Sequence, residues 1–151
     1  MRYIDEILQP GEKVLFAGTI HWIIYFPAVL MMVFALGALT QAGQGTAGLA
    51  WSVAAGVFAL AGGVMALSAW FRRWTTEVDV TDRRIVYKCG FIKRHTVELN
   101  MDKVESVDVD QSVMGRLLDF GDITIRGTGI GIEPLHGIGS PLDFRNHVTA
   151  R

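Results

Sequence analysis

Two long runs without a charged residue dominate the hydrophobic pattern of the chain. Residues 22–39 read WIIYFPAVLMMVFALGAL and residues 49–71 read LAWSVAAGVFALAGGVMALSAWF, with no Asp, Glu, Lys or Arg in either. About 18 such residues suffice for a helix to cross the roughly 30 Å hydrocarbon core of a bilayer. A helix buried in a soluble protein seldom lacks charge on every face over that length. The pattern therefore predicts two transmembrane helices, at about 22–40 and 49–71.

The residues around these runs predict the topology of the hairpin. Residues 40–48 read TQAGQGTAG, which is small, flexible and uncharged, and typical of a short turn between two helices. Arg72 and Arg73 follow the second run directly, and Arg2 and Lys13 precede the first. Because positive residues favour the cytoplasmic side of a membrane, both termini are predicted to be cytoplasmic.

The N-terminal residues have a different pattern. Residues 1–9 place apolar side chains at helical spacing and end at Pro10-Gly11, which predicts a short amphipathic helix. Residues 12–20 suit either a short strand or a continuation into the first membrane helix, and the sequence leaves both open. The predicted segments are 1–20, an N-terminal juxtamembrane segment; 21–73, the transmembrane hairpin; and 74–151, a soluble domain.

From residue 75 onward the apolar positions alternate with period two, which is typical of strands with one buried face. Six strands are predicted, at 76–81, 84–89, 91–99, 103–111, 122–126 and 129–133. Residues 112–118 suit one helical turn or a tight loop. Residues 134–140 are predicted to form a loop, with Ser140 as the cap and Pro141 as the first residue of a final helix. The expected fold is a curved antiparallel sheet or partial barrel closed by that helix.

The composition of the soluble part argues against several classes of function. Residues 74–151 contain ten Lys or Arg and twelve Asp or Glu, so no broad basic field exists to hold nucleic acid. The four histidines have no metal-ligand spacing, and no phosphate-binding loop motif occurs. Cys89 is the only cysteine, which excludes an internal disulfide, and it is expected to be a small buried residue. The sequence thus predicts no enzyme, metal, cofactor or small-molecule substrate.

Two groups of basic residues are candidates for contact with lipid or with a partner. Arg72 and Arg73 are expected to reach anionic headgroups from the end of the second helix. Lys88, Lys93 and Arg94 lie in a predicted hairpin, where a solvated edge is the simpler interpretation.

Other charged residues are expected to be structural. Arg83 and Arg84 are predicted to pair with Asp82 and to fix a turn. Asp108 and Asp110 share one strand face about 7 Å apart. This spacing is interpreted as a solvated face and not as a cation site.

Several motifs resemble one known family. They are Pro10-Gly11-Glu12, Val80-Thr81-Asp82-Arg83-Arg84-Ile85, Lys103-Val104-Glu105-Ser106-Val107, Gln111-Ser112-Val113-Met114-Gly115-Arg116-Leu117-Leu118 and Phe120-Gly121-Asp122-Ile123. Together they resemble the bacterial pleckstrin-homology-like (PH-like) membrane proteins of the YdbS and YdbT type. Asp119 departs from the family pattern, which favours glycine there, but aspartate tolerates a positive φ better than most residues.

The resemblance implies a PH-like fold of two bent sheets and a C-terminal helix, held at the bacterial inner membrane by the two-span hairpin. The expected function is an interaction or scaffold protein at the cytoplasmic face, which binds another membrane protein or assembles with copies of itself. Two alternatives stay open. One is a module that binds anionic lipid, and the other is an accessory subunit of a membrane transport or envelope-stress system.

Overall fold

The computed structural model describes residues 4, 7–42, 45, 47–90, 95–128 and 132–149. It divides into two compact units. One is Trp22–Phe71, and the other combines Met1–His21 with Arg72–Arg151. Residues from both sides of the apolar hairpin thus form a single domain.

The hairpin unit consists of two helices. A 3₁₀ turn at Trp22–Tyr25 leads into α1 (Phe26–Gln41), and α2 spans Gly48–Thr75. Pro27 lies in the first turn of α1, where a backbone N–H is not needed, as predicted. Both helical segments are long and apolar enough to cross a membrane, and only 17% of the most apolar window of each is buried. This low burial distinguishes them from the core helices of a soluble protein, which are mostly buried.

Small residues allow the two helices to pack closely. The buried residues of the helices are all alanine or glycine: Ala28, Ala35, Ala38, Ala55, Gly62 and Ala69. A Cβ atom on Gly62 would lie 3.1 Å from the Met32 sulfur and 3.2 Å from the Ala28 carbonyl oxygen. The absence of a side chain at this position lets the two backbones approach, a use of glycine that is common in membrane helix pairs.

In its described residues, the second unit contains seven strands in two antiparallel sheets. The strands are β1 (Val14–Gly18), β2 (Glu77–Thr81), β3 (Arg84–Cys89), β4 (His95–Asn100), β5 (Val104–Asp110), β6 (Phe120–Gly127) and β7 (Ile132–Gly139). The first sheet has the order β1-β2-β3-β4 and the second β5-β6-β7. Helix α3 (Val113–Leu118) joins β5 to β6, and α4 (Pro141–Thr149) packs against strands of both sheets. Phe144 of α4 is fully buried.

The apolar hairpin is an insertion between two paired strands. β1 precedes the hairpin and β2 follows it, and they pair antiparallel with Gly18 opposite Val78. Of the two alternatives for residues 12–20, the strand is correct. β2 is consequently a central strand, and residues 78–81 are all buried where the alternating pattern predicted a half-buried strand.

Some local predictions were wrong. Residues 134–140, predicted as a loop, form most of β7; Pro134 is tolerated because β7 is an edge strand whose pairing with β6 is irregular. Pro141 begins α4 as predicted, and the hydroxyl of Ser140, directly before it, donates to the Asp119 carboxylate at 2.6 Å. Cys89 is half-exposed and not buried.

Other local predictions were confirmed or lie outside the described residues. Asp119 has a φ of 57°, the positive value that the family pattern allows for. Of the predicted N-terminal helix, residues 4 and 7–9 are described, and Ile4 is buried. Residues 129–131 of the predicted sixth strand lie outside the described part of the chain.

The close approach at Gly62 leads to a test of the helix packing. Gly62→Leu is expected to destabilise the hairpin by about 1–3 kcal/mol, because the larger side chain overlaps the Ala28 backbone. Gly63→Leu is the matched control, since a Cβ there meets no atom within 4 Å. Stability is measured on the full chain by SDS titration from a mild detergent, followed by circular dichroism. Equal destabilisation by both variants would contradict the packing.

Candidate functional site

The chain leaves and re-enters the two-sheet domain at one edge. β1 runs toward His21, the last residue before the hairpin unit, and β2 begins at Glu77, just after α2 ends. Ile20 forms a β-bridge with Ile138, near the end of β7. We call this the anchor-side edge; it comprises residues 19–21, 77, 88, 110–120 and 137–140.

Helix α3 lies at the anchor-side edge because the strands that it joins meet there. At the end of β5, Asp110 pairs with Asp122, and at the start of β6, Phe120 pairs with Gly139. The His21 ring stacks on Phe120, with ring centroids 5.3 Å apart. The place where the chain departs for the apolar hairpin is thus in direct contact with the residue that follows α3 and its cap.

The pKa of the His21 imidazole lies below its usual value. Burial is the main cause, and the positive charge of Arg73 adds to it, against an opposing effect of the Asp119 carboxylate. A histidine of lowered pKa is neutral at physiological pH, which suits an aromatic stacking role.

The residues before, within and after α3 form a tight frame. The Ser112 hydroxyl caps the helix by accepting from the Gly115 N–H at 3.0 Å. The Gln111 side-chain amide donates to the Phe120 carbonyl oxygen at 3.1 Å. A Cβ atom on Gly115 would lie 2.6 Å from the same carbonyl oxygen, so glycine is required there. Asp119 ends the helix in the left-handed conformation.

The apolar residues that this frame does not use are exposed. Val113 is 85% exposed, Leu117 77% and Met114 56%. Arg116, beside them, is exposed as well. We call Val113, Met114 and Leu117 the α3 patch. Clustered apolar residues held in water by a rigid frame are typical of a contact surface.

The sequence alone did not identify the α3 patch. There, residues 112–118 are interpreted as local structure, either one helical turn or a tight loop. A usable signal was present: four large apolar residues lie between Ser112 and Asp119, and this segment is too short to bury all of them on one face.

The structure brings some of the predicted basic contact residues to the same edge. Arg72 and Arg73 lie exposed in the last turn of α2, shortly before β2 begins. Lys88 is half-buried and lies opposite the first residue of β2. Lys93 and Arg94 lie outside the described residues.

A second surface is the outer edge of β5. This strand is at the edge of its sheet, and in the described chain it pairs only with β6. A groove of about 410 Å³ lies beside it, lined by β5 residues including Ser106 and by Val148 and Thr149 of α4. Exposed acidic residues follow this edge: Asp102, Glu105, Asp108 and Asp110. The Asp108 carboxylate contacts Arg126 at 3.2 Å in an exposed ion pair.

The opposite end of the domain is closed by a buried ion pair. The Glu12 side chain is 0% exposed and that of Arg84 is 14% exposed. The Glu12 carboxylate accepts from Arg84 Nε at 3.1 Å and Nη2 at 3.0 Å, and from the Thr81 hydroxyl at 2.7 Å. The Gln9 N–H donates to it at 2.9 Å, and Arg84 also contacts Glu98 at 2.9 Å. The Pro-Gly-Glu and Thr-Asp-Arg-Arg motifs thus meet in one network.

This network corrects the predicted pairing of Arg83 and Arg84 with Asp82. Arg84 binds Glu12, which is 72 residues away in sequence. Asp82 instead accepts a hydrogen bond from the Lys13 backbone N–H at 3.0 Å. The prediction failed because it used only residues that are neighbours in the chain.

The network also changes the acidity of its carboxyl group. Burial alone would raise the pKa of Glu12. Hydrogen bonds from Gln9, Thr81 and Arg84, with the charge of Arg84, outweigh burial and hold that pKa below its usual value. Glu12 is therefore ionised in the folded protein at neutral pH.

Metal chemistry has no support in the described part of the chain. No group of three or more His, Cys, Asp or Glu side chains is placed there to hold a metal ion. His136 and Asp122 contact each other at 2.9 Å, but both side chains are exposed.

Comparison with known proteins identifies one family. The family model described as "Bacterial PH domain" matches residues 22–151. The match begins after β1 and the Pro10-Gly11-Glu12 motif. Neither the curated proteins nor the solved structures contain a significant match to the chain. With the two sheets and the C-terminal helix, the family match confirms the predicted fold class, an apolar two-helix hairpin joined to a PH-like β domain.

The buried ion pair leads to a test with a matched control. Arg84→Met is expected to destabilise the β domain by about 3–5 kcal/mol, because it leaves the Glu12 charge buried without its partner. Arg83→Met should cost less than about 0.5 kcal/mol, as expected for an exposed residue. Pulse proteolysis of the full chain in mild detergent measures both. Similar losses for the two variants would show that the pair is not a stabilising element.

The lowered pKa of Glu12 predicts a loss of stability in acid. In the unfolded chain this carboxyl takes up a proton near its ordinary pKa of about 4.5, whereas the folded protein still resists protonation there. The unfolded state then binds more protons, so stability falls as the pH drops from about 4.5 toward the folded value. The Glu12→Gln variant should be less stable than the parent at pH 7, and its stability should fall less as the pH drops over this range. The expectation fails if pulse proteolysis gives the variant the same pH dependence as the parent.

Proposed function

Since the chain belongs to the bacterial PH domain family, we propose that it is a membrane-anchored interaction module that holds a partner protein at the cytoplasmic face of the bacterial inner membrane. Domains of this family are generally non-catalytic, which agrees with an interaction role. The hairpin crosses the membrane twice and leaves both termini in the cytoplasm. Its place ahead of most of the PH-like domain supports assignment to the YdbS and YdbT type.

The membrane position is supported by the chemistry of the hairpin. Its helices carry no acidic or basic residue before Arg72 and expose most of their apolar side chains. Arg72, Arg73 and Lys13 lie on the domain side of the two helices in sequence, and the connector has no charge. By the positive-inside rule, this distribution supports a cytoplasmic position of the domain.

The open edge of β5 is the observation that carries the proposed partner binding. An edge strand presents backbone N–H and C=O groups that an extended segment of another chain can pair with. The adjoining groove toward α4 offers room for the side chains of such a segment. This geometry supports binding by addition of a strand.

The negative charge along the open edge of β5 indicates which kind of partner segment would pair with it. Asp102, Glu105 and Asp110 are exposed along it, with Lys103 as the basic residue among them. Two copies of β5 paired with each other would bring carboxylates together, and like charges opposite each other destabilise a strand pair. The proposed occupant is therefore an extended, positively charged segment of a different protein.

The basic residues at the other surface have a different role in this proposal. Lys88 lies at the anchor-side edge, and Arg72 and Arg73 lie just before this edge in the chain, in the last turn of α2. They contact anionic headgroups, each contributing about 1 kcal/mol near a charged membrane. Lipid contact thus assists anchoring, and the β5 edge binds protein.

Site-specific photo-crosslinking in native membranes tests the proposed function. A photo-reactive residue in place of Ser106, in the groove, should capture a partner, and the crosslinked peptide should be rich in Lys or Arg. The matched control carries the same group at His136, an exposed position on β7. Adding Glu105→Lys should weaken capture, because it removes one negative charge and adds a positive one.

Three results oppose the proposal. One is the absence of any adduct at position 106, with the protein running as a monomer. Another is capture of a second copy of this chain at that position. The third is equal capture at positions 106 and 136.

A further inference from the structure

We propose that the α3 patch (Val113, Met114 and Leu117) inserts into the interfacial layer of the same membrane that the hairpin crosses. This inference rests on the proposed membrane anchoring and adds a third contact to the two chain connections. The phase that covers the α3 patch in this proposal is the lipid bilayer, and not a protein.

The first argument is that the patch is held in place. Gly115 packs against the Phe120 carbonyl, Ser112 caps the helix, and Asp119 binds the Ser140 hydroxyl. The exposure of Val113 and Leu117 therefore does not arise from a loose loop. A rigid apolar surface in water is unfavourable unless another apolar phase covers it.

The second argument is the position of the patch. α3 lies at the anchor-side edge, and Phe120, two residues beyond the helix, stacks on His21. His21 is followed at once by Trp22, the first residue of an apolar segment long enough to span a membrane. If that segment enters lipid, the stacking contact holds α3 close to the level where it enters.

The third argument is charge. Arg116 is exposed beside the patch, and Lys88 lies at the same end of the domain, which Arg72 and Arg73 precede in the chain. The carboxylates of Glu77, Asp110 and Asp119 belong to this edge as well, so the charge argument depends on the arginine next to the patch and not on the net charge of the edge. Apolar side chains flanked by arginine match the membrane interface, because the aliphatic groups enter below the headgroups while the guanidinium binds phosphate. The acidic β5 edge has the opposite character and does not suit an anionic surface.

Insertion of the patch has a consequence for partner binding. Without it, the domain would be joined to the membrane only through the two chain connections before Trp22 and after Thr75, which allows more tilt. A third contact with the membrane limits that tilt, so that the β5 edge keeps a more constant angle to the membrane for its partner.

A fluorescent probe on the full chain tests the inference. Cys89→Ser removes the native thiol, and Leu117→Cys then carries an environment-sensitive NBD dye in nanodiscs of phosphatidylcholine and phosphatidylglycerol. The matched control carries the dye at Glu105→Cys on β5, also exposed. We expect blue-shifted emission at position 117, with quenching by lipids that bear a nitroxide in the upper acyl chain, and neither effect at position 105.

The possible outcomes separate this inference from the proposed anchoring. Equal emission at positions 117 and 105 in protein that has entered nanodiscs overturns the inference and leaves the anchoring intact. A blue shift at position 117 without quenching by the nitroxide lipids also overturns it, because a protein surface then covers the patch. Failure of the chain to enter nanodiscs overturns both.

Discussion

The pairing of β1 with β2 is the constraint on which the rest of the structure depends. These strands are neighbours in the sheet, yet the whole apolar hairpin lies between them in sequence. Closing a long connection costs conformational entropy, but the cost grows only slowly with its length. If the hairpin forms within the bilayer, it brings the two chain ends together before the sheet assembles. Formation of the hairpin would thus lower the entropic cost of pairing β1 with β2.

The two ends of the β domain differ in chemistry because of this insertion. The end away from the hairpin is closed by the Glu12–Arg84 pair, which joins the segment before β1 to the first residue of β3. Without Arg84, the buried Glu12 carboxylate would have neither its partner nor water around it. The ion pair therefore holds the segment before β1 against the sheet. The anchor-side edge instead leaves apolar groups exposed on α3. In the proposed arrangement, the end that faces water satisfies its polar groups internally, and the end that faces lipid keeps apolar groups on its surface.

The sequence predicted those features that depend on local pattern. Charge-free runs identified the two helices, and alternation identified most strands, because both patterns express a uniform environment along one element. The family motifs predicted the fold class. The α3 patch was missed because the exposure of a side chain depends on what surrounds its segment. A six-residue helix has fewer than two turns, so its sequence pattern does not show which side is buried.

Contacts between residues that are distant in the chain could not be predicted from local pattern for the same reason. Arg84 was assigned to Asp82, its neighbour in the chain, whereas folding brings it to Glu12. Residues 12–20 remained ambiguous until their pairing with β2 was known, since a five-residue strand carries little pattern of its own. Pro134 suggested a loop, but its missing N–H matters little on an edge strand. In each case the decisive partner lies far away in sequence.

The distribution of charge over the domain links the two proposed contacts. Carboxylates follow β5, while Arg116 and Lys88 lie at the anchor-side edge. Near an anionic membrane the side chains of Arg116 and Lys88 are attracted and the carboxylates of β5 are repelled, as are Glu77 and Asp119 at the anchor-side edge, within a Debye length of about 8 Å at physiological salt. The same field that draws α3 toward lipid therefore keeps the open strand away from it. A basic segment of a nearby membrane protein is attracted both to the anionic lipid surface and to the carboxylates of β5. Its local concentration would therefore be high close to the membrane, where β5 is also held.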